Sequence, residues 1–100
     1  MSSAEITIIK RDGKRKAFSV EKIKNAIRKA FLSVGSFATE EDIVNILSHV
    51  RITEGMHVEE IQNQVEVGLM AEQYFAVAKA YMIYRQRHME DREVRDHLDF

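Results

Sequence analysis

Residues 8–18 read Ile-Ile-Lys-Arg-Asp-Gly-Lys-Arg-Lys-Ala-Phe, five basic side chains set around a single Asp12-Gly13 step. An Asp-Gly pair between β-branched, alternating segments is the strongest short-range sign of a hairpin, because both residues tolerate the left-handed backbone of a tight reversal. The pattern predicts two strands, within residues 5–11 and 14–18. A two-residue turn would set Arg11 opposite Lys14, Lys10 opposite Arg15, Ile9 opposite Lys16 and Ile8 opposite Ala17. Two like-charged pairs would then face each other across the ladder. Such pairs are destabilising unless the side chains splay into water or an anion lies between them.

Outward from the hairpin, Phe18-Ser19-Val20-Glu21-Lys22-Ile23 reads as a helix start, with Ser19 as N-cap and Phe18 and Ile23 spaced as a hydrophobic staple. An apolar stripe of helical period continues through Val20, Ile23, Ile27, Ala30, Phe31 and Val34 to a stop at Gly35, leaving Lys22, Lys24, Arg28 and Lys29 off the stripe. Thr39-Glu40-Glu41-Asp42 announces a second helix as a capping box, running through Ile43, Ile46, Leu47 and Val50 and ending near 49–51. Between Arg51 and Val58 a short extended segment with Gly55 is expected to lie as a third strand beside the hairpin. Glu59 and Glu60 open a third helix with Ile61, Val65 and Leu69 inward. The last helix spans about Tyr74 to Asp91, with Phe75, Ala78, Tyr81, Met82 and Met89 along one side. The expected architecture is α+β: a small β-hairpin or three-stranded sheet capping a bundle of about four helices. The domain is expected over residues 1–90, with 91–100 as a charged helical extension or a linker to a following domain.

A chain of 100 residues can bury one core. Its formal net charge of -1 hides an asymmetry, because residues 10–29 contain nine Lys or Arg and two acids, a local +7 against -8 elsewhere. Concentrated positive charge on an otherwise acidic molecule suits a compact polyanion, such as a nucleotide, better than a long nucleic acid that the remainder would repel. The absence of cysteine removes disulfides, thiolate nucleophiles and cysteine-ligated zinc. No apolar run approaches the roughly 20 residues of a membrane span, so no membrane partner and a cytoplasmic location are expected.

Neither of the common glycine-rich phosphate loops occurs. His49, His57, His88 and His97 lack metal-site spacing, so no metal ligands are assigned. The first-turn carboxylates are explained by helix dipoles, and no acid–base pair or nucleophile triad is legible, so the chain reads as a binding domain and not as an enzyme. Tyr74, Tyr81 and Phe75 are spaced for packing, with Tyr84 the exception off the stripe, and Arg85 and Arg87 could extend the positive region. On composition alone, a solvated edge that prevents strand addition accounts slightly better for the basic hairpin than a ligand does. The other functional alternative is a small nucleic-acid-binding module using that hairpin and the first helix.

The order of motifs is more specific. Ile8-x-Lys10-Arg11-Asp12-Gly13, Phe18 five residues on, then Lys22-Ile23 and Ala26-Ile27, resemble the N-terminal signature of the ATP-cone. This is the allosteric nucleotide-binding domain found mostly at the N-terminus of ribonucleotide reductases. Val58-Glu59-Glu60-Ile61-Gln62, Val65 to Met70, and Val77-Ala78-Lys79-Ala80-Tyr81-Met82-Ile83-Tyr84-Arg85 resemble the family's third and closing helices, so the resemblance covers about residues 5–88. It implies a small sheet over four helices with ATP or dATP, carrying Mg, bound as an allosteric effector between hairpin and helices. Lys10 and Arg11 would contact phosphates, Lys22 would add a cation, Arg87 would approach from the last helix, and Ile8 and Ile23 would line the apolar part. Lys16, two places before Phe18, stands where an acidic residue is frequent, and Val58 and Gln62 where a Thr and a His are often present, on the ribose and adenine side. The implied partners are the nucleotide, the remainder of a ribonucleotide reductase and neighbouring cones in an oligomer. Control of overall activity in deoxyribonucleotide synthesis would then act through nucleotide-dependent quaternary change.

Overall fold

The computed structural model describes residues 6–98, with side chains through Arg87. The hairpin consists of β1 (Thr7–Ile9) and β2 (Arg15–Ala17), shorter than expected, with Thr7 opposite Ala17, Ile8 opposite Lys16 and Ile9 opposite Arg15. This register differs by one residue from that of a two-residue turn. The Gly13 N–H donates to the Lys10 carbonyl at 2.9 Å and the Lys10 N–H to the Lys14 carbonyl at 2.8 Å, so three residues form the loop. Only Gly13 is left-handed, with φ +84°. Asp12 stays on the negative side, and its Oδ1 accepts the Lys14 N–H at 2.9 Å. A type I turn with a bulged glycine thus replaces the primed turn, sparing Asp12 the left-handed conformation. That amide bond, helped by Lys10 and Lys14, holds the Asp12 carboxyl below the usual carboxylate range. Instead of two like-charged pairs, only Lys10 and Lys14 are left side by side.

Since side chains alternate across a strand, a one-residue slip exchanges the faces of β2. Lys16 joins Ile8 and Lys10 beneath the sheet, and Arg15 turns outward to Glu54 at 3.8 Å. The third strand, β3 (Met56–His57), pairs parallel to β1 and gives the order β2-β1-β3.

Helix α1 (Val20–Ser33) begins after Ser19, whose side chain makes no capping bond, and ends in a left-handed Gly35 at φ +76°. There the N–H groups of Gly35 and Ser36 return to the carbonyls of Leu32 and Phe31, a Schellman closure. The middle of its stripe is buried, while Val20 and Val34 at its ends are exposed. Helix α2 (Glu40–Leu47) opens with the expected capping box, in which the Thr39 hydroxyl accepts from the Asp42 N–H and the Asp42 carboxylate accepts from the Thr39 N–H. It stops before 49–51, because tight i→i-3 bonds from His49 and Val50 turn the chain toward the sheet.

Helix α3 (Val58–Ala71) packs Gly68 so close to α2 that a Cβ there would lie 2.8 Å from the Ile46 carbonyl oxygen. Helix α4 (Phe75–Leu98) runs through residues 91–98 with no break at 90. Its rotation is set at Tyr74, whose ring meets Phe31 edge-on at 5.1 Å and whose hydroxyl donates to Asp42 Oδ1 at 3.0 Å. Val77, Ala78 and Tyr81 therefore point inward, while Phe75 and Met82, expected inside, are exposed. The side chain of Met89 lies outside the described residues.

Two apolar clusters hold these elements. Ile27, Phe31, Ile43, Ile46, Val65 and Leu69, with residues of α4, form the bundle core. Ile8, Met56 and Ile61 form a second cluster under the sheet, where Phe18 and Val58 join them. Ile23 and Val50 touch both, so the hairpin is fastened to the bundle by side chains each contributing about 1.5–3 kcal/mol when fully buried.

Candidate functional site

Between the hairpin and the helices beneath it lies a cleft of about 480 Å³. Its upper wall is the underside of the hairpin: Ile8, Lys10, Arg11, Lys16 and Ala17, followed by Phe18 and Ser19. The one-residue bulge brings Lys16 there, since the two-residue turn would have sent it to the opposite face with Ile9. From α1 come Lys22, Ile23, Asn25, Ala26 and Lys29, one helical stripe of spacing three, four and seven. The other α1 cations turn away: Lys24 lies 3.8 Å from Glu21, and Arg28 bonds Asn25 and Glu40. The floor is made by Val58, Ile61 and Gln62 of α3 and by Tyr81, Tyr84 and Arg85 of α4.

Among the described residues, six basic side chains thus converge on a largely apolar cleft, and no Asp or Glu lines it. Arg11 is steadied from behind by Glu59 at 3.8 Å. Arg85 is held by Asn63 at 3.0 Å and by a close ion pair with Glu66, both on α3. Lys29 Nζ stands 5.8 Å from the centroid of the Tyr84 ring, within cation–π range. Burial pushes the Tyr81 hydroxyl up to about 12, against the opposing influence of Arg85, so Tyr81 is a neutral hydrogen-bonding phenol at ordinary pH. The arrangement can neutralise several negative charges on one side and enclose an apolar group on the other.

Ile8, Lys10, Arg11, Lys16, Phe18, Lys22, Ile23, Val58 and Gln62, expected at the site, all line this cleft. Arg87 is exposed and stands outside the lining, where α4 presents Arg85 instead. Sequence reasoning did not place Lys29 or Asn25 at the site. The i+7 relation between Lys22 and Lys29 was the available signal, but it acquires meaning only once Lys22 is known to face a cleft. Among the described residues no three His, Asp or Glu side chains converge as a metal site, and no helix is long and apolar enough to cross a membrane.

A family model described as the ATP cone domain matches residues 6–90. Among curated proteins, the chain is 35% identical over 109 residues to a ribonucleoside-diphosphate reductase subunit alpha from Chlamydia pneumoniae, covering 95% of this chain and 10% of that protein. It is 35% identical over 97 residues to a vitamin B12-dependent ribonucleoside-diphosphate reductase from Thermoplasma acidophilum, covering 89% and 13%. An anaerobic ribonucleoside-triphosphate reductase from Haemophilus influenzae matches at 35% over 97 residues, covering 91% and 14%. The chain therefore spans only about a tenth to a seventh of the length of these relatives.

Proposed function

This chain belongs to the ATP-cone family, and from that premise we propose that its cleft binds ATP and dATP as allosteric effectors of a ribonucleotide reductase. The observation that carries the reading is the convergence of Lys10, Arg11, Lys16, Lys22, Lys29 and Arg85 on an apolar floor. A triphosphate meets the cations while the base and sugar lie against Ile8, Phe18, Ile23 and Val58. Charge-assisted hydrogen bonds contribute roughly 1.5–3 kcal/mol each, so two or three account for most of a micromolar affinity of about 8 kcal/mol. A magnesium ion fits this lining only as a companion of the nucleotide, held by phosphate oxygens and water, because the walls supply cations and no carboxylate. Enclosure favours such a compact anion over a nucleic-acid strand, which needs an open basic track.

The role is regulation, with the chemistry elsewhere in the parent protein. ATP leaves the parent active and dATP, the end product, favours an inhibited assembly through cone-to-cone or cone-to-partner contacts. This requires the two nucleotides to stabilise different quaternary states, since a ligand of equal affinity for both shifts nothing. Residues 91–98, the C-terminal part of α4, serve as a helical lead toward the remainder of the parent protein. The three relatives carry different reductase names, so the class of the parent reductase is no part of the proposal.

Isothermal titration with ATP and with dATP, magnesium present, at two salt concentrations, tests the proposal. Micromolar binding with a shallow salt dependence is expected, and Lys10→Ala should weaken it about ten- to a hundredfold. No binding of either nucleotide, or unchanged affinity in the variant, would sink the phosphate assignment.

A further inference from the structure

Asp12-Gly13 is the one place in the sequence where Asp or Asn precedes Gly. Such a pair is the backbone step most open to cyclisation, because glycine has no Cβ to hinder approach of its nitrogen to the preceding carboxyl carbon. The step lies at the exposed tip of the hairpin, with open space where a Cβ on Gly13 would stand. Both groups that would react are nevertheless held. The Gly13 N–H donates to the Lys10 carbonyl at 2.9 Å, and Asp12 Oδ1 accepts the Lys14 N–H at 2.9 Å. The bond from Lys14 also keeps the Asp12 carboxyl below its usual range and therefore ionised, and an ionised carboxylate does not release hydroxide.

We propose that Asp12 is a latent site of spontaneous backbone isomerisation, silent while the turn is closed and reactive when it opens. In the open turn the Gly13 nitrogen attacks Asp12 Cγ. An N–Cγ bond forms, the nitrogen's proton and the carboxyl's hydroxyl leave as water, and a five-membered succinimide results. Water then adds back to the ring. Where it breaks the bond between the Gly13 nitrogen and the Asp12 main-chain carbonyl, Gly13 stays joined through Cγ, an isoaspartyl linkage of unchanged mass. The water lost is returned, so no co-reactant is consumed. The product cannot rebuild the turn, because its backbone is one carbon longer and the carboxylate that accepted the Lys14 N–H has become part of the chain. Lys10 and Lys14 close that turn, and Lys10, Arg11 and Lys16 flank it on the cleft wall. Conversion therefore unseats three of the cleft cations, and this consequence, unlike the chemistry, rests on the nucleotide reading above.

The test ages the chain at neutral pH and physiological temperature in three states: native, native with ATP, and unfolded in urea. Asp12→Glu, whose longer side chain would have to close a six-membered ring, is the chemical control. Cleavage after Glu5 and Glu21 releases residues 6–21, and electron-transfer fragmentation reads the linkage at residue 12. In urea, isoaspartate should accumulate there and be absent from the control. The native chain should convert about ten- to a hundredfold more slowly, because two hydrogen bonds must open first. ATP at about ten times its dissociation constant should slow conversion about tenfold again, since only the free chain opens. Converted chain, separated by ion exchange, should bind ATP about tenfold more weakly or worse, the loss of one charge-assisted contact. No isoaspartate at residue 12 in urea, or equal rates in the native and unfolded chains, would overturn the proposal. A native rate unaffected by bound ATP, or converted chain with full affinity, would overturn the link between tip and cleft. If the fresh chain bound no ATP, the nucleotide reading would fall, and the native and unfolded rates would still decide the chemistry.

Discussion

The register of the hairpin makes a prediction that separates two neighbouring basic residues. In the observed pairing Lys16 shares the cleft face with Ile8 and Lys10, whereas Arg15 faces outward, with Glu54 at 3.8 Å. Under a two-residue turn the roles would be exchanged. About three phosphate charges one Debye length from an ammonium, about 8 Å at physiological salt, attract it by about 1–2 kcal/mol in water-like dielectric before screening and by about 0.6 kcal/mol after it. Lys16→Ala should therefore weaken nucleotide binding about threefold at physiological ionic strength and about sevenfold at low salt. Arg15→Ala removes a pair exposed to water on both sides, worth about 0–1 kcal/mol of stability, and should leave affinity within about twofold. Titration calorimetry on the two variants, at two salt concentrations, reads both quantities. If Arg15→Ala weakened binding as much as Lys16→Ala, the bulged turn and the face assignment that follows from it would be wrong.

Three further substitutions test the scaffold. Burial raises the Tyr81 pKa from its ordinary 10 to about 12, so the folded state holds this proton more tightly than the unfolded chain. Its stabilising contribution is complete below pH 10 and is lost as pH rises toward 12, about 2–3 kcal/mol in all. Tyr81→Phe should flatten the fall of melting temperature across that window, and an unchanged alkaline slope would refute the assignment. Gln73, which closes α3 at φ +68°, occupies a left-handed position that costs a side-chain-bearing residue about 1 kcal/mol, so Gln73→Gly should raise the melting temperature by roughly 3–6 °C; a fall would count against strain at this turn. Gly68→Ala would ordinarily gain about 1 kcal/mol of helix propensity, but the added methyl meets the Ile46 carbonyl oxygen at 2.8 Å. Overpacking costs about 1–3 kcal/mol, so thermal unfolding should show a net loss, and stabilisation would mean that α2 yields freely.

Local chemistry made much of this fold legible. The Thr39–Asp42 capping box and the Gly35 stop each depend on a few neighbouring residues, and each appears in the folded chain, while Phe18 and Ile23 both pack against the cluster under the sheet. The turn register did not follow from sequence, because Asp-Gly serves both the primed two-residue turn and the bulged three-residue turn. What separates them is whether Asp12 must become left-handed, and its bond to the Lys14 N–H answers that only in three dimensions. The choice between Arg85 and Arg87 likewise rests on the rotation of α4. Two residues along a helix turn a side chain by about 200°, so the anchoring of Tyr74 on Asp42 and Phe31, far from the cleft, decides which arginine enters it. The same rotation sends Val77 inward and Phe75 outward. The cleft residues readable from motif position lie mostly on the hairpin and the first turns of α1 and α3, and those missed lie where helix–helix packing sets the angle.

The like charges of residues 8–18 are managed by position as well as by water. The bulge divides them between two faces, with Asp12 at the tip between Lys10 and Lys14. Six cations gathered on one cleft would repel one another, yet the carboxylates that relieve this lie behind the wall. Glu59 backs Arg11, and Glu66 backs Arg85. An entering polyanion therefore meets positive charge without first having to displace a carboxylate from the lining. Both backing residues belong to α3, the helix that also supplies Val58 and Gln62 to the floor. Arg85 is the more enclosed of the two arginines and is bonded to both Asn63 and Glu66 on α3, whereas the Arg11–Glu59 contact is more open to water. Arg85 thus fixes α4 against α3. Helix α4, tied to α3 in this way, continues as an unbroken helix to Leu98.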